Sequence, residues 1–414
     1  MSSRLFLRHL RHCVLSAPPH GVWGLLTAGL CAWLVLVVCG AAASLADERG
    51  AKLDVPFEPT HPRVVEAMLR LANVGKDDLV YDLGCGDGRI VIMAAQKFGA
   101  RGLGVDIDPQ RLKESRENAK HAGVADRVQF KQENIFRLDL SPATVVTMYL
   151  LNPVNLQLRP RLFADLKPGT RIVSHAFHME DWEADQTLHH PKARNKLVYF
   201  WKIPAGVGGV WRWKQPADKG ESPCQLELQQ EFQVIRGTLT IKDKKPLAII
   251  DGQMDGPQIQ FAVMMPGEAK EKPTKVVFDG QVKGDTIEGT QTWHGGGAKP
   301  AKMPWEAKRQ AVDLTGQWQI TLEPGMEHLN GVLRIEHRQG RREVDYVLAK
   351  PKQEVPIAAF YAWGASVRFE LPAQQQLWMF KGTLGQDSGA GKVLWETSTK
   401  EPAWSAKRLA APAK

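Results

Sequence analysis

The stretch Asp82-Leu-Gly-Cys-Gly-Asp-Gly-Arg89 separates an apolar run at residues 79–81 from a helix-like run at residues 90–95. A glycine-rich turn between a strand and a helix lets the backbone approach a ligand closely, because glycine has no Cβ in the way. The spacing here is G-x-G-x-G, with an acid two residues before the first glycine. Dinucleotide-binding loops have the spacing G-x-G-x-x-G and hold a pyrophosphate at the helix N-terminus. The loop therefore predicts a ligand that places no phosphate there.

Two further strand ends follow the glycine-rich loop. The apolar run Gly102-Leu-Gly-Val-Asp106 ends on an acid roughly 20 residues beyond the loop, the distance at which such folds bond ribose hydroxyls. A helix is expected from Pro109, and residues 128–130 form a short third strand with Glu133 and Asn134 after it. S-adenosylmethionine carries a ribose and no phosphate, so it fits these features. This order of elements resembles the class I S-adenosylmethionine-dependent methyltransferases, and the resemblance implies that Glu133 and Asn134 read the adenine edge.

The region around the loop predicts an α/β domain. From residue 54 to residue 204, strand-like and helix-like patterns alternate, which is typical of a Rossmann-like fold with a mixed, mostly parallel sheet. Thr60 lies in the region where the first helix would be N-capped, with Pro62 in its first turn. The other expected elements are a helix at residues 158–166 and strands at residues 144–151, 171–175 and 196–204.

The first 46 residues have the pattern of a targeting or anchoring segment. Arg4, Arg8 and Arg11 precede an uncharged stretch from residue 22 to about residue 43, and small residues up to Ala46 come before two acids. A run of about 20 apolar residues can span a bilayer as a hydrophobic helix, and the same pattern matches a signal peptide cleaved after Ala46. Both interpretations predict a membrane-anchored or exported protein, in the bacterial inner membrane or periplasm, and leave open the side of the membrane on which it works.

Length, charge and cysteine content narrow the class of protein. The chain has 414 residues, enough for two or three domains with proper cores. Its net charge of +9 is spread along the chain, which is more typical of a solvated surface than of a nucleic-acid-binding patch. The five cysteines form no disulfide framework. His294 has no partner set at metal-ligand spacing, so no metal site is predicted.

An internal repeat fills the second half of the chain. Helical periodicity disappears beyond residue 205, and short alternating runs typical of antiparallel strands replace it. Five motifs recur in the same order at offsets of about 100 residues; for example, Gly209-Val-Trp-Arg-Trp213 recurs as Gly316-Gln-Trp-Gln-Ile320. Each repeat predicts an all-β barrel or sandwich of about eight strands, and the common Gly-x-Trp opening suggests a small lipocalin-like meander. We expect the repeated tryptophans to pack the barrel core rather than to line ligand pockets.

Two other matches mark the strands of the repeat. Ile259-Gln-Phe-Ala-Val263 matches Val367-Arg-Phe-Glu-Leu371, and Trp305-Glu-Ala-Lys-Arg309 matches Trp404-Ser-Ala-Lys-Arg408. The predicted organisation is a signal peptide or anchor at 1–46, a methyltransferase domain at 47–204, and β repeats at 205–310 and 311–410.

Four stretches of the α/β domain resemble one family of methyltransferases in particular. They are Pro56-Phe-Glu-Pro-Thr-His-Pro62, the loop with its flanks at residues 81–92, residues 143–151, and Val173-Ser-His-Ala-Phe-His-Met-Glu-Asp-Trp182. The family comprises the small protein-lysine methyltransferases typified by the mitochondrial enzyme that modifies the ATP synthase c-subunit, with its bacterial and archaeal relatives. The resemblance covers roughly residues 54–204 and implies methyl transfer from S-adenosylmethionine to a protein lysine.

The resemblance also implies which residues form the cofactor site. The residues expected around S-adenosylmethionine are Thr60, Asp82, Gly84, Gly86 and Asp106, with Glu133 and Asn134 at the adenine. Cys85 stands where serine or threonine is common in the family, and because its side chain is also small, cofactor binding should survive. Ala176 stands where relatives often place a polar residue, which leaves the acceptor open.

A lysine acceptor must lose its proton before it attacks the methyl group, so a neighbouring imidazole or acid would help. His175, at the end of its predicted strand and facing the expected cleft, is the candidate catalytic residue, ahead of Glu58 and Asp181. The alternative for His175 is an ordinary histidine at the end of a strand.

Other functions also fit parts of the sequence. Asn152-Pro-Val-Asn155 resembles the Asn-Pro-Pro-aromatic motif of amino-methylating nucleic-acid enzymes, but the stacking aromatic is missing. A small-molecule methyltransferase is a second alternative, and a non-catalytic exported protein that binds a ligand through its β repeats is a third. The intact loop residues and Asp106 favour an enzyme. We expect a protein substrate, a membrane contact through the N-terminal segment, no nucleic-acid partner, and β repeats that bind a partner of unknown identity.

Overall fold

The computed structural model describes residues 57–189, 197–217, 220–267, 272–294, 300–309, 311–338, 341–395 and 401–410. The predicted signal peptide or anchor at residues 1–46, with its hydrophobic helix, lies outside these ranges. Within them, no helix is long and apolar enough to cross a membrane.

Seven strands form the first sheet. They are β1 (Leu79–Leu83), β2 (Arg101–Asp106), β3 (Val128–Gln132), β4 (Val145–Met148), β5 (Arg171–His175), β6 (Gln186–His189) and β7 (Leu197–Lys202). Their order is β3-β2-β1-β4-β5-β7-β6, with β1 to β5 parallel and β7 antiparallel to β5. The predicted mixed, mostly parallel sheet is confirmed. The strand order reverses between β1 and β4, and ligands of such sheets bind beyond the carboxyl ends of the strands at that point.

Four α-helices accompany these strands in the described residues: α1 (Pro62–Leu71), which precedes β1, and the connecting helices α2 (Arg89–Phe98), α3 (Pro109–His121) and α4 (Asn152–Asp165). The N-cap of α1 is His61, whose ring accepts a hydrogen bond from the Arg63 backbone at 3.2 Å, so the predicted capping role of the Thr60 region shifts by one residue. Helix α4 begins at Asn152 instead of Leu158, because Pro153 suits a first helical turn. For the same reason β4 ends at Met148, before the predicted end at Leu151.

The first sheet has a hydrophobic core on each face. One core packs α1 and α2 against the sheet through residues such as Val65 and Val91. The other core lies under α4 and also includes Phe232, Tyr361 and Trp363, which lie in the β-rich half of the chain. The methyltransferase-like sheet and that half therefore share buried apolar surface.

The second sheet is an antiparallel meander of nine strands, eight of which form a closed ring, while the short β11 pairs, among the described strands, only with β10. Its strands are β8 (Gly209–Ala217), β9 (Gly220–Glu231), β10 (Val234–Ile241), β11 (Leu247–Ala248), β12 (Ile250–Asp255), β13 (Gln258–Met265), β14 (Thr274–Lys283), β15 (Thr286–His294) and β16 (Ala301–Arg309). Strand β9 pairs with β8 on one side and with β10 on the other, which closes the barrel.

The third sheet has the same antiparallel order but stays open. It contains β17 (Gly316–Leu322), β18 (Gly331–Arg338), β19 (Arg341–Leu348), β20 (Gln353–Pro356), β21 (Ala359–Trp363), β22 (Ser366–Ala373), β23 (Gln376–Leu384), β24 (Ser388–Leu394) and β25 (Ala403–Arg408), with a 3-10 turn at Glu327–Leu329. Strands β20 and β21 are its two edges. Both β regions are all-β as predicted, with nine strands each instead of about eight; the lipocalin-like likeness stays a prediction.

The repeated tryptophans pack as predicted. Trp211 and Trp318 are fully buried, and their indole N–H groups donate to Val207 O at 2.8 Å and Leu314 O at 3.0 Å. The Arg309 guanidinium lies 4.6 Å from the centre of the Trp211 ring, and Arg408 lies 5.1 Å from that of Trp318. Each of the two β sheets is thus held at one end by an arginine stacked on a tryptophan.

Residues 54–414 form one compact unit. Each of the three sheets lies within one of the predicted segments 47–204, 205–310 and 311–410. Because the sheets pack together in that unit, their division into separate domains stays a prediction.

Candidate active site

The glycine-rich loop adopts a backbone conformation that requires glycine. Gly84, Gly86 and Gly88 have φ angles of 77°, 51° and 77°, in the left-handed region that side chains disfavour. A Cβ on Gly86 would lie 2.3 Å from the ring of Phe57. The N–H groups of Gly84 and Cys85 both donate to Val105 O at 2.9 Å, so the loop is fastened to the end of β2.

Asp106 lies beside this loop, as predicted. One of its carboxylate oxygens accepts a hydrogen bond from Gly86 N at 2.8 Å, and the other accepts from Asp108 N at 3.0 Å. Each oxygen has a second lone pair, so the carboxylate retains the capacity to accept bonds from two ribose hydroxyls. A loop with three glycines next to such an acid fits a nucleoside, and thus S-adenosylmethionine.

Asp82 lies under the loop and is 2% exposed. Burial raises the pKa of Asp82 to about 7, although the Thr147 hydroxyl donates to its carboxylate at 2.8 Å and partly opposes this rise; the nearby charge of Asp106 adds to it. Burial also raises the pKa of the Cys85 thiol, which keeps this side chain neutral. Both side chains of the loop stretch are therefore buried in the domain.

Glu133 and Asn134 follow β3 next to the end of β2. The backbone N–H of Glu133 donates to Asp106 O at 3.1 Å, and its carboxylate pairs with the Lys131 ammonium at 2.5 Å. The side-chain oxygen of Asn134 accepts from Phe136 N at 2.9 Å and fixes the turn. The structure thus brings this pair to the Asp106 edge; their contact with an adenine stays a prediction.

His175 lies at the carboxyl end of β5 and is buried. Its Nδ1 atom is 3.1 Å from the Thr60 hydroxyl, which is buried as well. Arg89, the last residue of the loop stretch, donates to Thr60 O at 2.8 Å and so connects the histidine to the loop. The cofactor-loop side and the candidate base therefore share one edge of the sheet.

Tyr149 completes this edge, although the sequence patterns do not single it out as a site residue. Its ring centre is 4.1 Å from that of His175 and 5.9 Å from that of Phe177. Its position could have indicated a role, because it directly follows the central strand β4 at the carboxyl edge of the sheet.

Asp181, a weaker candidate base, lies in an ion-pair cluster instead. Its carboxylate is 2.6 Å from an Arg159 nitrogen and also bonds Arg368. Burial works to raise the pKa of Asp181, but the two arginines outweigh it and lower the pKa below its ordinary value. Asp181 is therefore a poor proton acceptor. Glu58 is exposed next to Phe57.

Away from this edge, a cleft of about 670 Å³ lies between the second and third sheets. Among its lining residues are Gln229, Arg236, Trp363, Arg368, Lys381 and Lys392. Within the described residues, no group of three or more His, Cys, Asp and Glu side chains is arranged to hold a metal ion.

Known proteins resemble the first sheet and its loop. The family model described as the ANTKMT methyltransferase domain matches residues 82–186. A protein-lysine N-methyltransferase of Saccharolobus islandicus is 45% identical over 151 residues, which cover 36% of this chain and 94% of that protein. The human lysine N-methyltransferase of the ATP synthase c-subunit is 28% identical over 214 residues, which cover 50% of this chain and 84% of that protein.

One solved structure is an RNA methyltransferase from Salinibacter ruber in complex with S-adenosyl-L-homocysteine. Its sequence is 53% identical to this one over the matched region, which covers 36% of this chain and 96% of the Salinibacter chain. The TM-score is 0.35. The Saccharolobus relative is matched along nearly its whole length. The family expected from the sequence is thereby confirmed: the chain belongs to the protein-lysine N-methyltransferase family of S-adenosylmethionine-dependent enzymes.

Proposed function

We propose that this enzyme transfers the methyl group of S-adenosylmethionine to the side-chain amine of a protein lysine. The observation that carries the proposal is the convergence of the Asp106 loop with His175 and Tyr149 at one sheet edge. Family membership supports a lysine acceptor.

The residues of this edge have distinct tasks in the reaction. When bound, S-adenosylmethionine supplies an electrophilic methyl group on a sulfonium. Asp106 and the glycine-rich loop hold the nucleoside, and the rings of Tyr149 and Phe177 exclude water from the acceptor side. His175 takes a proton from the lysine ammonium, and the Thr60 hydroxyl, 3.1 Å from its Nδ1, helps to orient the ring. The amine nitrogen then forms a bond to the methyl carbon while the carbon–sulfur bond breaks and S-adenosylhomocysteine leaves.

The test is to incubate the purified protein with methyl-labelled S-adenosylmethionine and a cell extract, and to locate the label by mass spectrometry. We expect methyllysine in a protein, with His175→Ala slowing transfer about a hundredfold while leaving cofactor affinity unchanged. Asp106→Ala should abolish cofactor binding in calorimetry. Label in RNA or in a small molecule would contradict the proposal and favour one of the alternatives; no binding of the cofactor by the unmutated protein would leave the non-catalytic interpretation.

We also propose, from the sequence, that residues 1–46 anchor the enzyme to the bacterial inner membrane or export it to the periplasm. Fractionation of cells that express the chain with and without these residues tests this. We expect the protein in the soluble cytoplasmic fraction only when residues 1–46 are deleted. An unchanged distribution would contradict the proposal.

The β repeats are proposed to bind the partner that brings the acceptor lysine. The cleft between the second and third sheets supports this, because it carries exposed basic side chains at Arg236 and Lys392. We expect a double variant, Arg236→Ala with Lys392→Ala, to lose methyl labelling of the acceptor while it still binds the cofactor.

A further inference from the structure

Residues 176–182 connect the candidate base to the β-rich half of the chain. This segment follows β5 directly after His175, and its Phe177 ring lies next to the ring of Tyr149. Two of its residues, Ala176 and Glu180, have positive φ angles of 66° and 51°. Such a conformation is uncommon for residues other than glycine and persists only where the surrounding structure holds it.

Two buried arginines hold the far end of the segment. Arg159 of α4 donates to the Asp181 carboxylate at 2.6 Å and to Met179 O at 2.7 Å. Arg368 of β22 bonds the other oxygen of Asp181. The side chains of Arg159 and Arg368 are 5% and 3% exposed, so both guanidinium groups depend on protein partners rather than on water.

Arg368, the arginine from the third sheet, is itself held by several partners. Its guanidinium bonds Glu370 at 2.5 and 3.1 Å, and its Cζ lies 5.5 Å from the Phe232 ring centre and 5.4 Å from that of Tyr361. Arg159 stacks on the same two rings and donates from Nε to the Tyr361 hydroxyl at 2.8 Å. A guanidinium with this many partners has one orientation.

The second sheet holds the same segment through a neutral contact. The indole N–H of Trp182 donates to the side-chain oxygen of Gln233 at 2.8 Å, and the Gln233 amide donates to Glu183 O at 3.1 Å. The segment that begins at the candidate base thus ends in contact with both β-rich regions.

We propose that Arg368 is a positioning residue, which acts through Asp181 to hold residues 176–182 as the acceptor side of the active site. The third sheet is then part of the catalytic apparatus as well as a binding module. The inference rests on the proposed methyl transfer for its kinetic consequence, but its structural consequence can be measured without activity.

Hydrogen exchange measured by mass spectrometry on the full chain tests the structural consequence. In Arg368→Met, amide exchange in the peptide that covers residues 176–182 should be about tenfold faster or more, with exchange around residues 82–89 unchanged. Arg368→Lys keeps the positive charge but loses the planar set of N–H donors. Its exchange rate at residues 176–182 should lie between those of the unmutated protein and of Arg368→Met. The matched control is Arg309→Met, which removes a stacked, ion-paired arginine of the second sheet whose partners among the described residues are Asp285, Gly208 O and the Trp211 ring rather than Asp181.

Kinetics with poly-L-lysine as the acceptor tests the catalytic consequence. Arg368→Met should lower kcat about tenfold while leaving KM for S-adenosylmethionine unchanged, because the cofactor loop does not contact this cluster. Unchanged exchange at residues 176–182, or an equal increase in Arg309→Met, would overturn the proposal. A change confined to the KM for S-adenosylmethionine, with kcat unaffected, would also overturn it. If the unmutated protein transfers no methyl group, the proposed function fails, and the exchange result still decides whether Arg368 holds the segment.

Discussion

The two β repeats have the same inner face and different outer faces. Inside, Phe261 stacks on Phe278 with ring centres 4.7 Å apart, and Phe369 stacks on Phe380 at 4.4 Å. The repeat motif therefore encodes the same stacked aromatic core twice, once in a closed sheet and once in an open one.

Outside, the matched strands β13 and β22 differ. Gln260 of β13 is exposed and bonds Asp279, whereas Arg368 at the matching position of β22 is buried against the methyltransferase sheet. Ala262 likewise matches Glu370, the partner of Arg368. The shared fold thus comes from the inward-facing positions, while two outward-facing positions of the third sheet supply the buried ion-pair cluster at Asp181, which the matching positions of the second sheet lack.

The largest expected effect tests the likeness of the two cores. Phe261→Ala and Phe369→Ala should each lower the free energy of unfolding by about 4 kcal/mol, because each removes a fully buried ring and leaves a cavity. Denaturant unfolding measures both. If one substitution costs less than half as much as the other, the cores are not equivalent.

The next effect separates the outer faces. Arg368→Met should lower the free energy of unfolding by about 2 kcal/mol, since it removes the closest cation of the largely buried Glu370 and leaves half-exposed Asp181 with Arg159 alone. Gln260→Met, at the matching exposed position, should change it by less than about 0.5 kcal/mol. Equal costs in the same unfolding experiment would remove the distinction between the faces.

A smaller difference concerns a matched pair of tryptophans. The Trp404 indole donates to Lys381 O and Lys392 O at 3.2 and 3.1 Å, whereas the Trp305 indole N–H has no hydrogen-bond partner among the described residues. Both rings are buried, so replacement by phenylalanine removes similar volume. Trp404→Phe should therefore cost about 1 kcal/mol more than Trp305→Phe. A larger loss at Trp305 would indicate a hydrogen bond that this indole makes outside the described residues.

The smallest effect is the pH dependence of the ion pairs that Asp181 makes with Arg159 and with Arg368 of the third sheet. The pKa of Asp181 in the folded protein lies below its ordinary value of 3.8, so this ion pair contributes stability above pH 3.8 that is lost as the pH falls through the folded pKa. The stability difference between the unmutated protein and Asp181→Asn should be constant from about pH 5 to 8 and should shrink below about pH 4. A difference that grows on acidification would contradict the sign of this shift.

Most of the first sheet is predictable from the sequence because its strands are apolar runs that end at turn residues. The loop, β2 and β5 lie where their patterns place them. Strand β6 escapes prediction, since all four of its residues are exposed and show no apolar alternation. The bond from Thr60 to His175 joins residues 115 positions apart, and such a pairing has no local signal. The sequence therefore indicates a cap region at Thr60 and, through the family resemblance, a place near the cofactor, but not this bond.

The contact between enzyme and repeat is beyond prediction for a similar reason. Arg159 and Arg368 look like ordinary surface charges in a chain with many dispersed cations. Arg159 meets Tyr361 across 202 residues, and Arg368 meets Asp181 across 187. The position of Tyr149 at the sheet edge is missed for another reason. The apolar run that contains it predicts a strand through Leu151, whereas the strand ends one residue before Tyr149.

The open third sheet has a consequence for solubility. Its edge strand β21 is covered by α4, where the Phe163 ring lies edge-on to Tyr361 and Trp363, with centres 5.7 and 5.6 Å apart. A bare strand edge with aromatic side chains is a template for pairing with another chain. The methyltransferase helix therefore shields an aggregation-prone edge. The third sheet on its own would be expected to self-associate, whereas the second, with its barrel closed, would not.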